Sequence, residues 1–391
     1  MTNEDFMRRA IALAKLGEGK TNPNPLVGAV IVKDGRIIGE GFHHAYGELH
    51  AERDALKNCA ERGENPKGAT IFVTLEPCCH FGKQPPCTHA LVEAGISRVV
   101  VGSRDPNPLV HGKGNAYLRE NGIQVEEDFL RSECDELNSI FFYYITTKMP
   151  FVALKYAMTA DGKIATKSGK SQWISNEKSR EFVHVLRNRY AGILAGIGTV
   201  KADDPMLNCR LTNENGEQVG KNPVRIICDS HLQIPLESKI VQSAKEIPTI
   251  VACVGAGQGE QSFSEKKFAL ENAGVEVIEV PSEKATAIGT EQNPKPSVDL
   301  RELMKILGEK KIDSVLVEGG ASINYSALKA GIVNKIYAFV APKIFGGQAK
   351  SPVGGAGVNL VEEAFEFMLE KISQFGDDVL LEYKNLQIQK D

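Results

Sequence analysis

The sequence predicts a two-domain α/β protein in which each domain is a sheet layered with helices. Three observations indicate this class. The chain has 391 residues, more than one hydrophobic core usually serves. Strand patterns alternate with helical patterns along most of the chain, which is typical of a layered α/β sheet. A second such series starts near Phe151, and no internal repeat relates it to the first, so we expect two different folds.

The first series opens with a predicted helix over residues 4–16. A hairpin is predicted next in LVGAVIVKDGRIIGEGF, because Asp34-Gly35 is a favoured two-residue turn between β-rich runs. There follow a helix through HAERDALKNCAERG that ends at Gly63, a buried strand ATIFVTL, a helix THALVEAGI and a strand RVVVGS.

The domain boundary is predicted at about 147–150. The segment CDELNSIFFYYITTKMP mixes a helical pattern with an aromatic cluster and ends at Pro150. We therefore expect domains of residues 1–146 and 147–391. In the second, the predicted strands are FVALKYAM, YAGILAGIG, VRIICDS, TIVACV, GVEVIEV, SVLVEGG and KIYAFVAPKI. The polar run over 281–297 is predicted to be a surface loop.

Composition narrows the function. A net charge of −4 and a pI near 6.1 give no basic footprint for nucleic acid, so we expect small-molecule ligands. The start of the chain lacks the apolar centre of a secretory signal, and no run approaches 18 apolar residues, so we expect a cytoplasmic protein without membrane contact. Domains of this size in metabolic enzymes often pair with twofold symmetry, so we also expect a homo-oligomer.

Eight cysteines in so long a chain, with no recognisable export signal, are expected to be reduced thiols. Five stand isolated in the sequence and are expected to pack as small apolar residues. These are Cys59, Cys134, Cys209, Cys228 and Cys253.

The motifs ELHAE and TLEPCCHFGKQPPC carry metal-binding residue types. A catalytic zinc site has three protein ligands and a position left for water, whereas a structural site has four protein ligands. His50, Cys78 and Cys87 offer three. Glu52 lies two positions beyond His50, about 200° around a helix, so it is predicted to be a proton shuttle rather than a ligand on the same face. An H-x-E motif followed by P-C-x-x-C is the pattern of the zinc deaminases.

The spacing departs from that pattern. Cys78 and Cys87 are separated by eight residues rather than two, so the motif alone leaves Cys79, His80 and His89 as competing ligands.

The wider segment resembles the deaminase half of the bifunctional riboflavin-biosynthesis enzymes. The matching stretches are TNPNPLVGAVIV, HAYGELHAE, TLEPCCHFGKQPPCTHAL and DPNPLVHGKG, and the resemblance covers essentially residues 1–146. That family has the longer form PC-x-H-x-G-K-x-P-P-C, in which the first cysteine and the cysteine after the two prolines bind zinc. The resemblance thus implies a cytidine-deaminase-like three-layer domain with Zn²⁺ bound by His50, Cys78 and Cys87.

The same resemblance implies hydrolytic deamination of a 2,5-diamino-6-(5-phosphoribosylamino)pyrimidinone, with Glu52 as the catalytic acid and base. Asn24 matches the family position that holds the pyrimidine. His43 and the loop DPNPLVHGKG are expected to contact ribose or phosphate. The alternative is that Asn24 only forms a turn and the loop only covers the surface.

A second motif lies in SVLVEGGASINYSAL, which runs from a strand through Gly319-Gly320 into a predicted helix. Such glycines let a phosphate approach the N–H groups at a helix start, although the same arrangement is a common strand-to-helix connection. It is not the G-x-G-x-x-G fingerprint, so a nicotinamide cofactor would bind in another way.

Together with LKYAMTADGKIATKSGKSQWIS and RNRYAGILAGIGTVKADDPMLNCRL, this motif resembles the reductase half of the same enzymes, from about Phe151 to the end. The resemblance implies a dihydrofolate-reductase-like α/β domain that uses NADPH to reduce the ribosyl group to a ribityl chain. The implied NADPH-binding residues are Ala157, Trp173, Thr199, Asp203, Gly320, Ala321, Ser322, Ile323, Asn324, Tyr325 and Ser326. The implied substrate-binding residues are Ser171, Arg187, Leu207, Arg210 and Glu318.

Physical chemistry supports part of this assignment. Arg187 and Arg210 are expected to bind a phosphate as charge-assisted forks. The alternatives are a solvated helix face for the arginines and a core anchor for Trp173. Lys155 and Asp161 are expected to position polar groups without a catalytic role, and the proton donor stays unassigned. We expect the glycine-rich run FGGQAKSPVGGAG to be a flexible connection.

Two other functions compete with this interpretation. One is a cytidine or RNA-base deaminase whose C-terminal half serves only for assembly. The other is a non-enzymatic zinc module, which requires a fourth protein ligand and no bound water.

Overall fold

The chain divides into two compact units, unit 1 over Met1–Lys148 and unit 2 over Met149–Asp391. The computed structural model describes residues 1–80, 85–107, 110–255, 260–282 and 296–385. Each unit has its own β-sheet, which confirms the predicted α/β class. No helix in these described ranges is long and apolar enough to span a membrane.

Unit 1 is built of short strands and helices that alternate along the chain. Its strands are β1 (Gly28–Lys33), β2 (Arg36–Phe42), β3 (Thr70–Leu75), β4 (Arg98–Ser103) and β5 (Gln124–Glu126). Its helices are α1 (Asn3–Ala14), α2 (Ala51–Glu61), α3 (Cys87–Glu93), α4 (Lys113–Glu120), α5 (Arg131–Leu137) and α6 (Ser139–Thr147). The strand order is β2-β1-β3-β4-β5, with β3, β4 and β5 parallel and β1 antiparallel to both of its neighbours.

Local sequence signals explain the first elements. Thr2 and Asp5 form a capping box that starts α1, and the predicted helix ends two residues early because a 3₁₀ turn covers Lys15–Gly17. The predicted hairpin is confirmed. Asp34 and Gly35 have φ values of 51° and 73°, which a two-residue turn between twisted antiparallel strands requires.

Helices cover both faces of the unit 1 sheet. Along β1, Ala29 and Ile31 pack with α2, α3 and α4, whereas Val30 and Val32 pack with α1 and α5. Because successive residues of a strand point to opposite faces, a continuous apolar strand must be buried on both sides. Unit 1 therefore has three layers, as predicted.

Unit 2 repeats the alternation with a larger sheet. Its strands are β6 (Phe151–Thr159), β7 (Gly192–Gly196), β8 (Val224–Cys228), β9 (Thr249–Cys253), β10 (Glu276–Glu279), β11 (Ser314–Val317), β12 (Val333–Ala341), β13 (Met368–Phe375) and β14 (Asp378–Lys384). Its helices are α7 (Glu177–Arg189), α8 (Ile197–Asp203), α9 (Lys239–Gln242), α10 (Glu260–Asn272), α11 (Leu300–Glu309) and α12 (Ala321–Lys329).

The strand order in unit 2 is β10-β9-β8-β7-β11-β6-β12-β14-β13. The strands from β10 to β12 are parallel, and β14 and β13 extend the sheet as an antiparallel hairpin. Core residues again alternate between two faces: Leu194 packs with α11 and α12, and Ile193 and Ala195 pack with α9 and α10. The strand β11 lies between β7 and β6 and is parallel to both, so the carboxyl ends of these three strands meet at one edge of the sheet.

One smaller prediction is tested by the structure, another falls mostly outside the described residues, and one element was missed. The five isolated cysteines are all buried free thiols, as expected. Most of the predicted loop over 281–297 lies outside the described residues, because 283–295 are not among them. The hairpin of β13 and β14 was not predicted from the sequence at all.

Candidate active sites

The three predicted zinc ligands lie together in unit 1. His50 is the N-cap residue of α2, Cys87 is the first residue of α3, and Cys78 follows β3. His50 and Cys87 thus lie at helix N-termini, and Cys78 lies in a segment without regular structure.

The spacing of these side chains fits a tetrahedral metal ion. His50 Nδ1 lies 3.5 Å from Cys78 Sγ and 3.4 Å from Cys87 Sγ, and all three ligand atoms are within 4.8 Å of one another. Metal–nitrogen bonds of about 2.0 Å and metal–sulfur bonds of about 2.3 Å at tetrahedral angles place nitrogen and sulfur about 3.5 Å apart. The donor set therefore fits Zn²⁺ with one coordination position left over.

A hydrogen bond joins the side chains of Cys78 and Cys87. The contact with the Cys87 side chain, helped by His50, lowers the pKa of Cys78 to about 4. The same contact, together with burial, raises the pKa of Cys87 well above its usual value. Cys78 Sγ also accepts the backbone N–H of Cys87 at 3.4 Å. The cluster thus holds a thiolate at neutral pH, which a cation would complement.

Glu52 lies on the first turn of α2, beside the cluster. Its side chain is only 3% exposed, and burial raises the pKa of its carboxyl group. A hydrogen bond joins Glu52 to Cys87, yet the metal-binding cluster found among the described residues consists of His50, Cys78 and Cys87. The structure thus places a proton-accepting group next to the ligands.

The competing ligands lie outside this cluster. Cys79 is half-buried, and burial raises the pKa of its thiol. His89 stacks on Tyr117, with ring centroids 4.9 Å apart. His80 Nδ1 is buried without a hydrogen-bond partner in the described part of the chain. The geometry therefore favours Cys78 and Cys87 over these three residues.

Asn24 and His43 form a hydrogen-bonded pair that ends at His50. His43 Nδ1 donates to the carbonyl of Leu49 at 2.9 Å, so the neutral ring accepts from Asn24 Nδ2 at 3.1 Å through Nε2. Burial lowers the pKa of His43, which keeps the ring neutral. The ring also meets His50 edge-on, with centroids 5.4 Å apart. Asn24 is thereby held in one orientation near the metal ligands.

The segment DPNPLVHGKG leads into α4, which begins at Lys113, and Pro108 and Leu109 fall outside the described residues. His111 and Lys113 are exposed, and Asp105 is buried, which raises its pKa to about 6. The exposed imidazole and ammonium groups are the parts of this loop that could meet a phosphate.

In unit 2, three strand ends bring the predicted cofactor residues to one edge of the sheet. Ala157 lies near the end of β6, Thr199 lies in α8 just after β7, and Gly319-Gly320 follow β11. A Cβ atom on Gly319 or Gly320 would lie 3.1 or 3.2 Å from Thr199 Oγ1, so these segments touch. Gly320, with φ of 74°, is the N-cap of α12, which leaves the first N–H groups of that helix available.

Residues 321–326 form the first turns of α12, and the glycine-rich run over 345–357 packs on them. Gly354 N–H donates to Ala321 O at 2.9 Å, and Asn324 Nδ2 donates to Pro352 O at 2.8 Å. Hydrogen bonds therefore tie part of this run to the helix, and the flexible connection stays a prediction.

Glu318 is the centre of a buried ion cluster. Arg187 binds it in a bidentate geometry at 2.6 and 3.0 Å, and Lys155 Nζ lies 3.5 Å away. Burial would raise the pKa of Glu318, but the charges of Arg187 and Lys155 outweigh burial and lower it to about 2. Arg187 Nη1 also donates to the carbonyl of Asn208 at 2.9 Å. The predicted phosphate fork of Arg187 is thus engaged with a carboxylate, and the arginine does not lie on a solvated helix face.

Arg210 is exposed and lies against His184. The backbone N–H of Arg210 is 3.2 Å from His184 Nδ1, and Arg210 Nε is 3.3 Å from Nε2. One ring nitrogen of a neutral histidine carries hydrogen, so only one of them accepts from Arg210. Burial, followed by the charges of Arg187 and Arg210, lowers the pKa of His184 to about 4.

The remaining predicted residues are less tightly grouped. Trp173 is 61% exposed with Arg180 over its ring at 4.6 Å, so it is not a core anchor. Leu207 is buried with φ of 48°, next to the Asn208 carbonyl that Arg187 binds. Ser171 is half-buried, and Asp203 is exposed at the end of α8.

Sequence reasoning missed the contact of His184 with Arg210, and it expected Lys155 to position polar groups without naming its partner Glu318. A lysine inside the apolar strand LKYAM was a usable signal, because an isolated buried charge requires a partner. His184 gave no signal, because its contact with Arg210 spans 26 residues of sequence.

Comparison with known proteins identifies both halves. The family model for the cytidine and deoxycytidylate deaminase zinc-binding region matches residues 1–103, and the model for the RibD C-terminal domain matches residues 150–381. Riboflavin biosynthesis protein RibD of Actinobacillus pleuropneumoniae is 49% identical over 98% of this chain and 95% of its own length. The Escherichia coli protein of that name is 38% identical over 97% of this chain and 99% of its own length.

Solved structures are similar over nearly the whole chain. A Thermotoga maritima diaminohydroxyphosphoribosylaminopyrimidine deaminase/5-amino-6-(5-phosphoribosylamino)uracil reductase is 39% identical, with a TM-score of 0.81 over 97% of this chain and 98% of that one. Acinetobacter baumannii RibD, form 1, is 35% identical, with a TM-score of 0.82 over the same shares.

Fold, site and family matches define a zinc-dependent deaminase of the cytidine deaminase class, fused to a reductase that implies a nicotinamide cofactor. The chain belongs to the RibD family of riboflavin biosynthesis proteins, and it is a bifunctional deaminase and reductase.

Proposed function

We propose that the chain catalyses two consecutive steps of riboflavin synthesis. The domain of residues 1–146 deaminates a 2,5-diamino-6-(5-phosphoribosylamino)pyrimidinone, and the domain of residues 147–391 then reduces its ribosyl group to a ribityl chain with NADPH. The observation that carries the proposal is the metal-binding cluster beside a buried carboxylate, followed in the same chain by the RibD C-terminal domain. Both domains would recognise nearly the same phosphorylated compound.

In the deaminase domain, His50, Cys78 and Cys87 would hold Zn²⁺. The bound ion lowers the pKa of water and so supplies the nucleophile near neutral pH. Glu52, whose pKa burial raises, would accept a proton from the attacking water and pass it to the ring nitrogen. It would then take the proton of the new hydroxyl group and pass it to the amine, which leaves as ammonia. Asn24, which His43 orients, would hold the pyrimidine.

In the reductase domain, Ala157, Thr199 and residues 320–326 of the predicted cofactor set lie in the segments that converge at the carboxyl ends of β6, β7 and β11. NADPH would supply a hydride to C1′ of the ribosylamino group. Arg210 would bind the substrate phosphate from its exposed position beside His184. Glu318, fixed by Arg187 and Lys155, would accept hydrogen bonds from ribose hydroxyl groups.

The competing functions are less well supported. A cytidine or RNA-base deaminase with an assembly domain does not account for the match to the RibD C-terminal domain over 150–381. The net charge of −4 favours small-molecule substrates over nucleic acid. A closed structural zinc module requires a fourth protein ligand, whereas the cluster in the described residues has three.

We also infer a homo-oligomer. The strand β13 ends the unit 2 sheet and exposes Leu369 and Ile372, which are 47% and 61% accessible. An exposed apolar edge strand is a surface that natural proteins normally cover.

The proposal is tested by incubating the purified protein with the diaminopyrimidine substrate, with and without NADPH. We expect ammonia release without NADPH, and NADPH oxidation only after ammonia release. A chelator is expected to abolish ammonia release and to leave the reduction of the deaminated product unchanged. NADPH oxidation that needs no prior deamination would overturn the order of steps.

A further inference from the structure

Cys78 differs from the other two predicted zinc ligands in what holds it. His50 and Cys87 are fixed by the helices that they begin. Cys78 lies beyond the end of β3, outside any helix or strand. A ligand on an irregular segment needs some other contact to keep its sulfur in place, because metal affinity depends on how firmly each ligand is oriented.

The carboxylate two residues earlier supplies such a contact. Glu76 is 3% exposed, and its oxygens accept backbone N–H groups at the start of α4. One oxygen accepts from Gly114 at 3.1 Å and from Asn115 at 3.4 Å. The other accepts from Gly112 at 3.0 Å and from Asp105 at 3.5 Å. The side chain of Glu76 therefore ties the end of β3 to the loop before α4.

Two further contacts hold the same segment. Gly114 lies directly against Pro77, since a Cβ atom there would be 2.1 Å from the Pro77 carbonyl oxygen and 3.3 Å from a Glu76 carboxylate oxygen. On the other side, the carbonyl of Cys78 accepts the N–H and the hydroxyl of Thr88 at 3.2 and 3.3 Å. Cys78 is thus anchored between α4 and α3.

We propose that Glu76 is a positioning residue for the zinc ligand Cys78, and that the start of α4 is thereby part of the metal site. The inference rests on the proposed zinc site. The hydrogen bonds at position 76 require a carboxylate side chain. Both oxygens face N–H donors, so a glutamine, with one acceptor and one NH₂ group, would turn a donor towards either Gly112 or Gly114.

The test uses the full-length protein with three variants. Glu76→Gln removes the second acceptor, and Gly114→Ala disturbs the same contact from the α4 side. Glu40→Gln is the matched control, because Glu40 also lies in unit 1 and binds Arg9 and Arg62 on a different element. The measurements are the rate of zinc transfer to a chromophoric chelator, the visible spectrum of the Co²⁺-substituted protein, and the reductase activity of the same chain.

We expect Glu76→Gln and Gly114→Ala to release zinc about 10- to 100-fold faster than wild type, with shifted cobalt bands and unchanged reductase activity. Glu40→Gln should match wild type in all three measurements. Wild-type zinc release and cobalt bands in both site variants would overturn the proposal, and Gly114→Ala decides if Glu76→Gln does not fold. A wild-type protein that binds neither ion would refute the proposed deaminase site itself, which this comparison separates from the role of Glu76.

Discussion

Glu52 and Glu318 are both buried carboxylates, but their surroundings give them opposite properties. Burial dominates at Glu52 and raises its pKa, so the group can hold a proton at moderate pH. At Glu318 the charges of Arg187 and Lys155 lower the pKa to about 2, so that group stays ionised. The first is suited to proton transfer and the second to accepting hydrogen bonds.

Replacement of Glu52 by glutamine separates metal binding from proton transfer. Because Glu52 lies beside the ligand cluster without belonging to it, we expect Glu52→Gln to retain zinc. Loss of the acid and base should lower deaminase turnover by about a hundred- to ten-thousand-fold, with reductase activity unchanged. Ammonia release and metal content are the two measurements. Unchanged ammonia release would remove Glu52 from the mechanism.

His184 should make the stability of the protein depend on pH. The pKa of His184 is about 4 in the folded chain, against 6.5 for an unperturbed histidine such as that of the unfolded chain. The unfolded chain therefore binds the proton more readily. Stability from this group is therefore present above pH 6.5 and is lost as the pH falls from 6.5 towards 4. In His184→Asn, the urea midpoint should decline less than in wild type between pH 7 and pH 5. Parallel declines in the two proteins would contradict the low pKa of His184.

The sequence identified the functional residues of the metal site better than it identified the groups that those residues contact. The motif found His50, Cys78, Cys87 and Glu52, but the spacing alone left Cys79 as an alternative that needed geometry to exclude. Glu76 was passed over because its partners are backbone N–H groups, which any sequence offers. Contacts made by the main chain leave no trace in residue identity.

At the scale of elements, glycines set how closely α2 approaches the sheet. A Cβ atom on Gly41 in β2 would lie 2.2 Å from Ala55 N and 2.7 Å from Ala51 O, both in α2. The helix α2, which carries Glu52 and is capped by His50, thus packs directly against the backbone of β2 at Gly41. The position of the metal ligand depends on a residue without a side chain.

We expect Gly41→Ala to push α2 away from β2 and to destabilise the protein by about 1–3 kcal/mol. Zinc affinity should fall as well, because His50 caps that helix. Thermal unfolding and metal content measure the two effects. Gly198→Ala is the control for stability, since a Cβ atom there meets nothing within 4 Å. A Gly41→Ala protein as stable as wild type would show that the contact can relax.

Elements with a buried apolar run or a defined turn were predictable from sequence. The Asp34-Gly35 hairpin and the buried strands of both sheets follow from such signals. The β13–β14 hairpin did not, because β13 is almost wholly exposed and its sequence MLEKISQF lacks the alternation of a half-buried strand. The place of β13 at the end of the sheet is set by its pairing with β14, which is a tertiary contact.

At the scale of the whole molecule, each unit has its own sheet with packed residues on both faces. The two chemistries therefore rest on separate cores, which fits two sites of different kinds in one chain. The sequence predicted this division from the chain length and from the second series of strands and helices that starts near Phe151. It could not reveal which apolar surfaces are exposed, since exposure depends on the order of the strands in the sheet.

That uncovered surface is the basis of a prediction about assembly. Leu369 and Ile372 are exposed on β13, and Val361 and Phe365, just before it, are 85% and 42% accessible. A second copy of the chain is the natural partner for this surface, because an edge strand can pair with its own symmetry mate.

We expect light scattering to give at least twice the chain mass of 42.6 kDa, and Ile372→Asp to shift the protein towards the monomer. Phe268→Asp removes an apolar side chain that is 66% exposed elsewhere in unit 2 and should leave the mass unchanged. A wild-type protein of single-chain mass at all concentrations would show that β13 stays unpaired in solution.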